Sequence, residues 1–206
     1  DITTGNAMPN WNKAVNGRVR SMSQNGGRIY AGGTFTAAGA DRSFGTALDP
    51  VTGVPDFNYL EPNGRVRTAI PDGSGGWFIG GDFTTVGAVS RNRIARLNAD
   101  GSLNAWNPNA NNLVYSMVLV GSTVYVGGAF TTIGGATRSC VAALDATTGL
   151  ATAWNPIVNN FVYAMEWDGT AIRVGGTFTT YGSPAKPQPY LAGFDPVTGA
   201  RVSDVS

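Results

Sequence analysis

Val124-Tyr125-Val126-Gly127-Gly128-Ala129-Phe130-Thr131-Thr132 decides how the rest of the chain is read, because near-copies stand at Ile29–Ala37 (IYAGGTFTA), Trp77–Thr85 (WFIGGDFTT) and Ile172–Thr180 (IRVGGTFTT). The second glycine of each pair, Gly33, Gly81, Gly128 and Gly176, recurs at spacings of 48, 47 and 48 residues. A period of that length marks a repeat array, in which each unit is one supersecondary element that cannot bury its apolar face alone. The chain is therefore read as one domain over 1–206, with units at 12–58, 59–106, 107–154 and 155–206 and a lone fourth strand at 1–11.

Working outward, a second set of look-alikes precedes each glycine pair: Arg18-Val19-Arg20-Ser21-Met22, Arg65-Val66-Arg67-Thr68-Ala69, Leu113-Val114-Tyr115-Ser116-Met117 and Phe161-Val162-Tyr163-Ala164-Met165. These are expected as first strands. Asn25-Gly26, Asp72-Gly73, Gly121-Ser122 and Asp168-Gly169 follow, and such residues supply the positive φ of tight hairpin turns, so the glycine-pair segment becomes an antiparallel second strand. After a longer polar connection comes a third strand ending in Ala47-Leu48-Asp49, Arg96-Leu97-Asn98, Ala143-Leu144-Asp145 or Gly193-Phe194-Asp195. A turn and a short fourth strand then close most units on an aromatic, Phe57, Trp106 or Trp154. Four short antiparallel strands per repeat predict an all-β fold of β-propeller blades.

The glycines Gly32, Gly33, Gly80, Gly81, Gly127, Gly128, Gly175 and Gly176 are expected to let another backbone or a large aromatic come close and to tolerate a bulge. Phe35, Phe83, Phe130 and Phe178 are the expected partners for that space. No strand-to-helix step or lysine follows the glycines, which argues against a phosphate cradle.

Charged residues make up 13% of the chain and the net charge is +1, which argues against a general nucleic-acid footprint. No apolar run reaches the roughly 18 residues of a membrane helix. Asp1-Ile2-Thr3-Thr4 has neither the basic start nor the apolar core of a signal peptide. One cysteine, Cys140, amid polar Asn-, Thr- and Gly-rich loops fits an exported or cell-surface protein. With no histidine, Ser-His-Asp triads, Cys-His pairs and His-based metal sites are ruled out. Cys140 aligns with Phe44, Arg93 and Tyr190 at the start of the third strand, a packing position. Asp49, Asp82, Asp145 and Asp195 would make a hydrolytic carboxylate pair only if distant repeats converged. Asn98-Ala99-Asp100-Gly101-Ser102 lacks the later glutamate of a calcium loop. No catalysis, cofactor or metal is expected.

The string GG-x-F-T-T, a polar loop with an arginine, and Ile94-Ala95-Arg96-Leu97-Asn98-Ala99-Asp100-Gly101-Ser102-Leu103-Asn104 together resemble the delta-sixty repeat of bacterial surface and secreted proteins, over nearly the whole chain. Repeat two matches best. The others carry Asp-x-x-Thr-Gly at that turn, and with the glycine pair and a later tryptophan this is similar to kelch-type blades. The resemblance implies a propeller-like fold with an adhesion or scaffold role, and no catalytic residue.

Asp1 to Asn12 repeats the plan of Asp145 to Asn155, so the N-terminal strand is expected to complete the last blade, or else the array continues or is shared between two chains. Connections after the second and fourth strands are the long ones. They carry Arg42, Arg91, Arg93, Arg138, Lys186, Asn109, Asn111 and Asn159, beside Trp11, Trp106, Trp154 and Tyr181. Rigid scaffolds display binding residues on such loops. Amide, guanidinium and aromatic groups suit a glycan or a surface protein. Self-association into a ring or filament is the alternative reading.

Overall fold

The computed structural model describes residues 16–36 and 42–202. The strand expected at 1–11, Trp11, and the connection 37–41 lie outside the described residues. Nineteen short strands form four meander sheets and three small hairpins, without a helix among the described residues. The first sheet is β1 (Val19–Asn25), β2 (Arg28–Gly33) and β3 (Gly45–Leu48). The second is β4 (Val66–Pro71), β5 (Trp77–Gly81) and β8 (Ile94–Leu97), with the hairpin β6 (Thr85–Val86) and β7 (Val89–Ser90) between the last two. The third is β9 (Val114–Val120), β10 (Thr123–Gly128) and β13 (Val141–Asp145), with hairpin β11 (Thr132–Ile133) and β12 (Ala136–Thr137). The fourth is β14 (Val162–Trp167), β15 (Ile172–Gly176), β18 (Leu191–Phe194) and β19 (Arg201–Val202), with hairpin β16 (Thr180–Tyr181) and β17 (Lys186–Pro187). All pairings are antiparallel, as the turn residues require: Gly26, Gly73, Gly121 and Gly169 all have positive φ.

The core lies between the sheets. β1 sits against β4, β4 against β9, and β9 against β14. Three apolar clusters fill these seams, each drawing on two successive repeats. Successive side chains of a strand point to opposite faces. Trp77 and Ile79 therefore enter the seam with the first repeat and Phe78 the seam with the third. Burial on both faces is why the second strands are apolar without alternation.

The expected fourth strand is reduced in the first three repeats to single bridges, Leu48–Pro55, Leu97–Leu103 and Leu144–Ala151; the two-residue β19 closes the last. A local side-chain bond ends the pairing. The side chains of Asp56, Asn104 and Thr152 accept the backbone N–H of Asn58, Trp106 and Trp154, turning the chain inward. Trp106 and Trp154 are thereby buried, and their Nε1–H groups donate to the Asp145 and Asp195 carbonyls of the following repeat, each at 2.9 Å. Repeat one differs from expectation. Phe57 is exposed, and Tyr59 takes the tryptophan's place, donating its hydroxyl to the Ala99 carbonyl at 3.0 Å.

Aspartates fasten the turns after the third strands. Asp49, Asp145 and Asp195 each accept two backbone N–H groups and a threonine hydroxyl from the next three residues. Their carboxyls are held below the usual range, first by the backbone N–H of Thr52, Thr148 and Thr198; Asp168, bonded first by the Ala171 N–H, lies well below it. A carboxyl whose folded pKa is depressed contributes stability present above about pH 4 and lost as pH falls through the folded value. The thermal midpoint is therefore expected to hold from about pH 7 to pH 5 and to drop below about pH 4. Asn at both Asp145 and Asp195 should flatten that acid limb. Melting that ignores acid in the parent protein would contradict this account.

Candidate functional site

The glycine pairs build a site indirectly. A Cβ on the second glycine would overlap the backbone carbonyl oxygen of Arg18, Arg65, Leu113 or Phe161 in its own sheet. The same carbonyls accept the N–H of Thr34, Asp82, Ala129 and Thr177 at 2.8–2.9 Å. That close approach shifts the register by one residue in every repeat: Val19, Val66, Val114 and Val162 face the second glycine, and Ser21, Thr68, Ser116 and Ala164 face the first. The residue left over is Arg20, Arg67, Tyr115 or Tyr163. Such a β-bulge re-aims its side chain.

All four bulge residues line one concavity of about 350 Å³. The Arg67 guanidinium lies 5.0 Å from the centroid of the Tyr115 ring, and Tyr115 and Tyr163 have centroids 5.0 Å apart. Asp82 holds Arg67 through both carboxylate oxygens and has Arg65 at 3.5 Å. Arg20 is exposed and pairs with no carboxylate among the described residues. The row thus has a basic half, Arg20 and Arg67 with Arg18 and Arg65 two residues earlier, and an aromatic half, Tyr115 and Tyr163 with Leu113 and Phe161 at the matching places. Arg65 and Arg67 share the Asp82 carboxylate, and no ion pair to a carboxylate engages Arg20 among the described residues, so guanidinium exceeds carboxylate along this half. Burial raises the Tyr115 hydroxyl pKa while Arg67 opposes it, so the phenol is a neutral donor at neutral pH.

The loop residues expected to bind are occupied otherwise. Arg42 is buried, bonded to Glu61 at 2.8 Å and to the Tyr59 carbonyl. Arg91 and Arg138 donate to the Asn104 and Thr152 carbonyls, and Arg93 to the Asp82 carbonyl. Asn111 and Asn159 each pin a Thr-Thr pair, accepting N–H from Thr131 and Thr132 or from Thr179 and Thr180; Asn63 holds Thr84 and Thr85 alike, which accounts for the threonines of the motif. Asn109 accepts from Asn92, and Lys186 is exposed in β17. Tyr181 packs on Phe194, centroids 5.8 Å apart. The expected contact of the phenylalanines with the glycines is met at Gly128, where a Cβ would lie 2.8 Å from Phe130; a carbonyl fills the space at Gly33, Gly81 and Gly176, the next repeat's valine fills it at Gly32, Gly80 and Gly127, and at Gly175 no described residue comes nearer than 3.8 Å.

Phe44, Arg93, Cys140 and Tyr190 share positive φ, between 61° and 66°, and their N–H groups donate to Phe35, Phe83, Phe130 and Phe178. Cys140 is buried in the seam with the fourth repeat, and burial raises its thiol pKa. Among the described residues no three acidic or cysteine side chains gather closely enough to hold a metal ion. The signal for the bulge row was present in sequence as Arg-Val-Arg and x-Val-Tyr before each pair, but register alone reveals which residue is extra.

Among protein families, "Domain of unknown function (DUF5122) beta-propeller" matches residues 71–105, within the second repeat. No curated protein matches the chain. Similar solved structures include the computationally designed Ika4 protein, with TM-score 0.58 and 11% identity over 88% of this chain and 93% of that one. Another is YCF48 bound to D1 peptide, with TM-score 0.51 and 12% identity over 89% of this chain and 51% of that one. BamB from Moraxella catarrhalis gives TM-score 0.52 and 18% identity over 91% and 52%. This chain spans about half the length of the latter two. Repeats, sheet topology and these likenesses together make it an all-β repeat protein of β-propeller type.

Proposed function

We propose that this chain is a non-catalytic protein-recognition module whose bulge row takes an extended partner segment carrying acidic residues beside an aromatic or apolar one. The observation that carries this is the convergence of Arg20, Arg67, Tyr115 and Tyr163, one bulge residue per repeat, on a single concavity. Guanidiniums in excess of carboxylate favour an acidic ligand through charge-assisted hydrogen bonds. The tyrosine rings supply rigid apolar area with a polar tip. That YCF48, of similar fold, is seen with a peptide supports a protein ligand over a small metabolite.

The test is panning of a random-peptide display library on the immobilised protein, with anisotropy titrations of the enriched peptides. Enriched sequences should pair Asp or Glu with an aromatic residue. Affinity should fall on adding salt, since exposed charges are screened within about 8 Å at physiological ionic strength. Arg20→Glu, at an exposed position, should weaken binding about tenfold or more, a loss of about 1.4 kcal/mol or greater. Enrichment without acidic bias, or affinity indifferent to both Arg20→Glu and Tyr163→Ala, would sink the reading. Glycan-array binding that survives Arg20→Glu would move the site to the loop face around Lys186.

A further inference from the structure

The three internal seams obey one steric rule. The first glycine of each pair leaves a hole, and a valine from the next repeat fills it. A Cβ on Gly32 would lie 2.5 Å from Val66 Cγ1, one on Gly80 2.5 Å from Val114 Cγ1, and one on Gly127 2.6 Å from Val162 Cγ1. Val66, Val114 and Val162 are fully buried. Ala69, Met117 and Met165, three residues further on, are buried beside them, with Met165 Sδ at 2.9 Å from the Gly127 position. On the other side of the seams, Ile94 and Val141 open the third strands and are also fully buried.

The same positions at the two ends of the array are uncovered. Val19 is 38% exposed and Met22 54% exposed. At the far end Leu191, in the place of Ile94 and Val141, is 58% exposed, and no described residue comes nearer than 3.8 Å to a Cβ built on Gly175. Among the described residues, one end thus has an unfilled hole and the other an unburied knob.

We propose that these are the two halves of a further seam, in which the Val19–Met22 face of one copy packs head-to-tail on the Gly175–Leu191 face of a second copy. Continuity with the existing seams identifies the occupant. The missing filler of the Gly175 hole is a valine followed three residues later by a small or flexible apolar residue, which Val19 and Met22 supply. The bulge row agrees, for Arg67 of one repeat stacks on Tyr115 of the next at 5.0 Å, and the same packing sets Arg20 of one copy beside Tyr163 of the other. The tail face also carries exposed Glu166 and half-buried Arg173 where the internal seams have Val118 and Tyr125, so this seam is the more polar one. A cation is tolerated there: Arg96, also on a seam face, reaches the Ala146 carbonyl of the next repeat at 3.3 Å. A head-to-tail contact is heterologous, giving a ring where the rotation closes and a filament where it does not.

The experiment is sedimentation velocity of the chain over a dilution series, with Val19→Glu, Gly175→Gln and the double variant, each checked for folding by its circular-dichroism melt. The parent protein should associate with rising concentration, and each single variant should shift to monomer mass. Mixing the two single variants should restore a 1:1 complex, because one carries an intact tail and the other an intact head; the double variant should stay monomeric in any mixture. A parent protein that remains monomeric throughout overturns the proposal, and protection of the Gly175 strand from hydrogen exchange in that monomer would assign its cover to the same chain. Association unaffected by either substitution overturns it equally.

Discussion

Trp106→Ala is expected to destabilise the protein by about 3–5 kcal/mol and to divide its unfolding into two transitions. The ring fills the seam between the second and third repeats, its centroid 4.8 Å from that of Phe78, and Gly149 of the next repeat lies flat against it. Its removal leaves a cavity where two units meet, and takes the Nε1–H from the Asp145 carbonyl. That carbonyl keeps the Gly149 N–H at 2.9 Å, so the lost hydrogen bond adds only about 0.5–1.5 kcal/mol. In a linear array each unit is stabilised chiefly by its neighbours, so a defect in a middle seam uncouples two halves. Trp154→Ala, in the last seam, should release the fourth repeat alone. Trp106→Phe, which keeps most of the apolar volume, should fall between the parent and Trp106→Ala. Denaturant titrations followed by circular dichroism read this as a lower midpoint with a reduced apparent slope; a single transition of unchanged slope in Trp106→Ala would show that the seam does not set the cooperativity.

Much of this architecture could be read from residue order because its causes are local. The period is carried by glycines whose absent side chains are required at fixed places, and the first three strands of each unit follow from turns that need positive φ at Gly26, Gly73, Gly121 and Gly169. The concavity was harder to see. Whether Arg67 or Val66 is the extra residue depends on strand register, which follows from the approach of Gly81 to a carbonyl and has no residue-type signature of its own. The recurrent left-handed position is hidden for a similar reason, being occupied by Phe44, Arg93, Cys140 and Tyr190, four unrelated side chains held by the same pair of backbone bonds. Loop arginines looked free because their acceptors are main-chain carbonyls, as at Arg91 and Arg138, and carbonyls are invisible to composition. Residue type does not separate Tyr59 from Phe57, two aromatics two positions apart, whereas the hydroxyl bond to Ala99 does.

Alanine at Gly81 and alanine at Gly175 are expected to have opposite effects although both glycines belong to the same motif. A methyl on Gly81 would press on the Arg65 carbonyl oxygen, with the carbonyl carbon at 3.0 Å and Val66 Cα at 3.1 Å. These are backbone atoms of the paired strand, so no rotamer change relieves the clash. Relief means parting β4 from β5, which strains the Asp82 N–H bond to Arg65 and the Gly81 N–H bond to Arg93, both 2.8 Å. Overpacking of this kind with weakened bonds should cost about 3 kcal/mol or more. Gly80→Ala meets instead the end of a side chain, Val114 Cγ1, so its smaller penalty should be largely recovered in Gly80→Ala with Val114→Ala. Gly175→Ala meets no described residue nearer than 3.8 Å and its φ is not in the left-handed region, so in dilute monomeric protein it should stabilise by up to about 1 kcal/mol through the reduced freedom of the unfolded chain. Equal penalties at Gly81 and Gly175 would mean that the glycines are kept for flexibility and not for space. The bulge supplies a second readout. Since the approach of Gly81 to the Arg65 carbonyl is what sets Arg67 in the concavity, folded Gly81→Ala protein should lose affinity for acidic peptides, while folded Gly175→Ala protein, whose Tyr163 bulge rests on Gly176, should keep it.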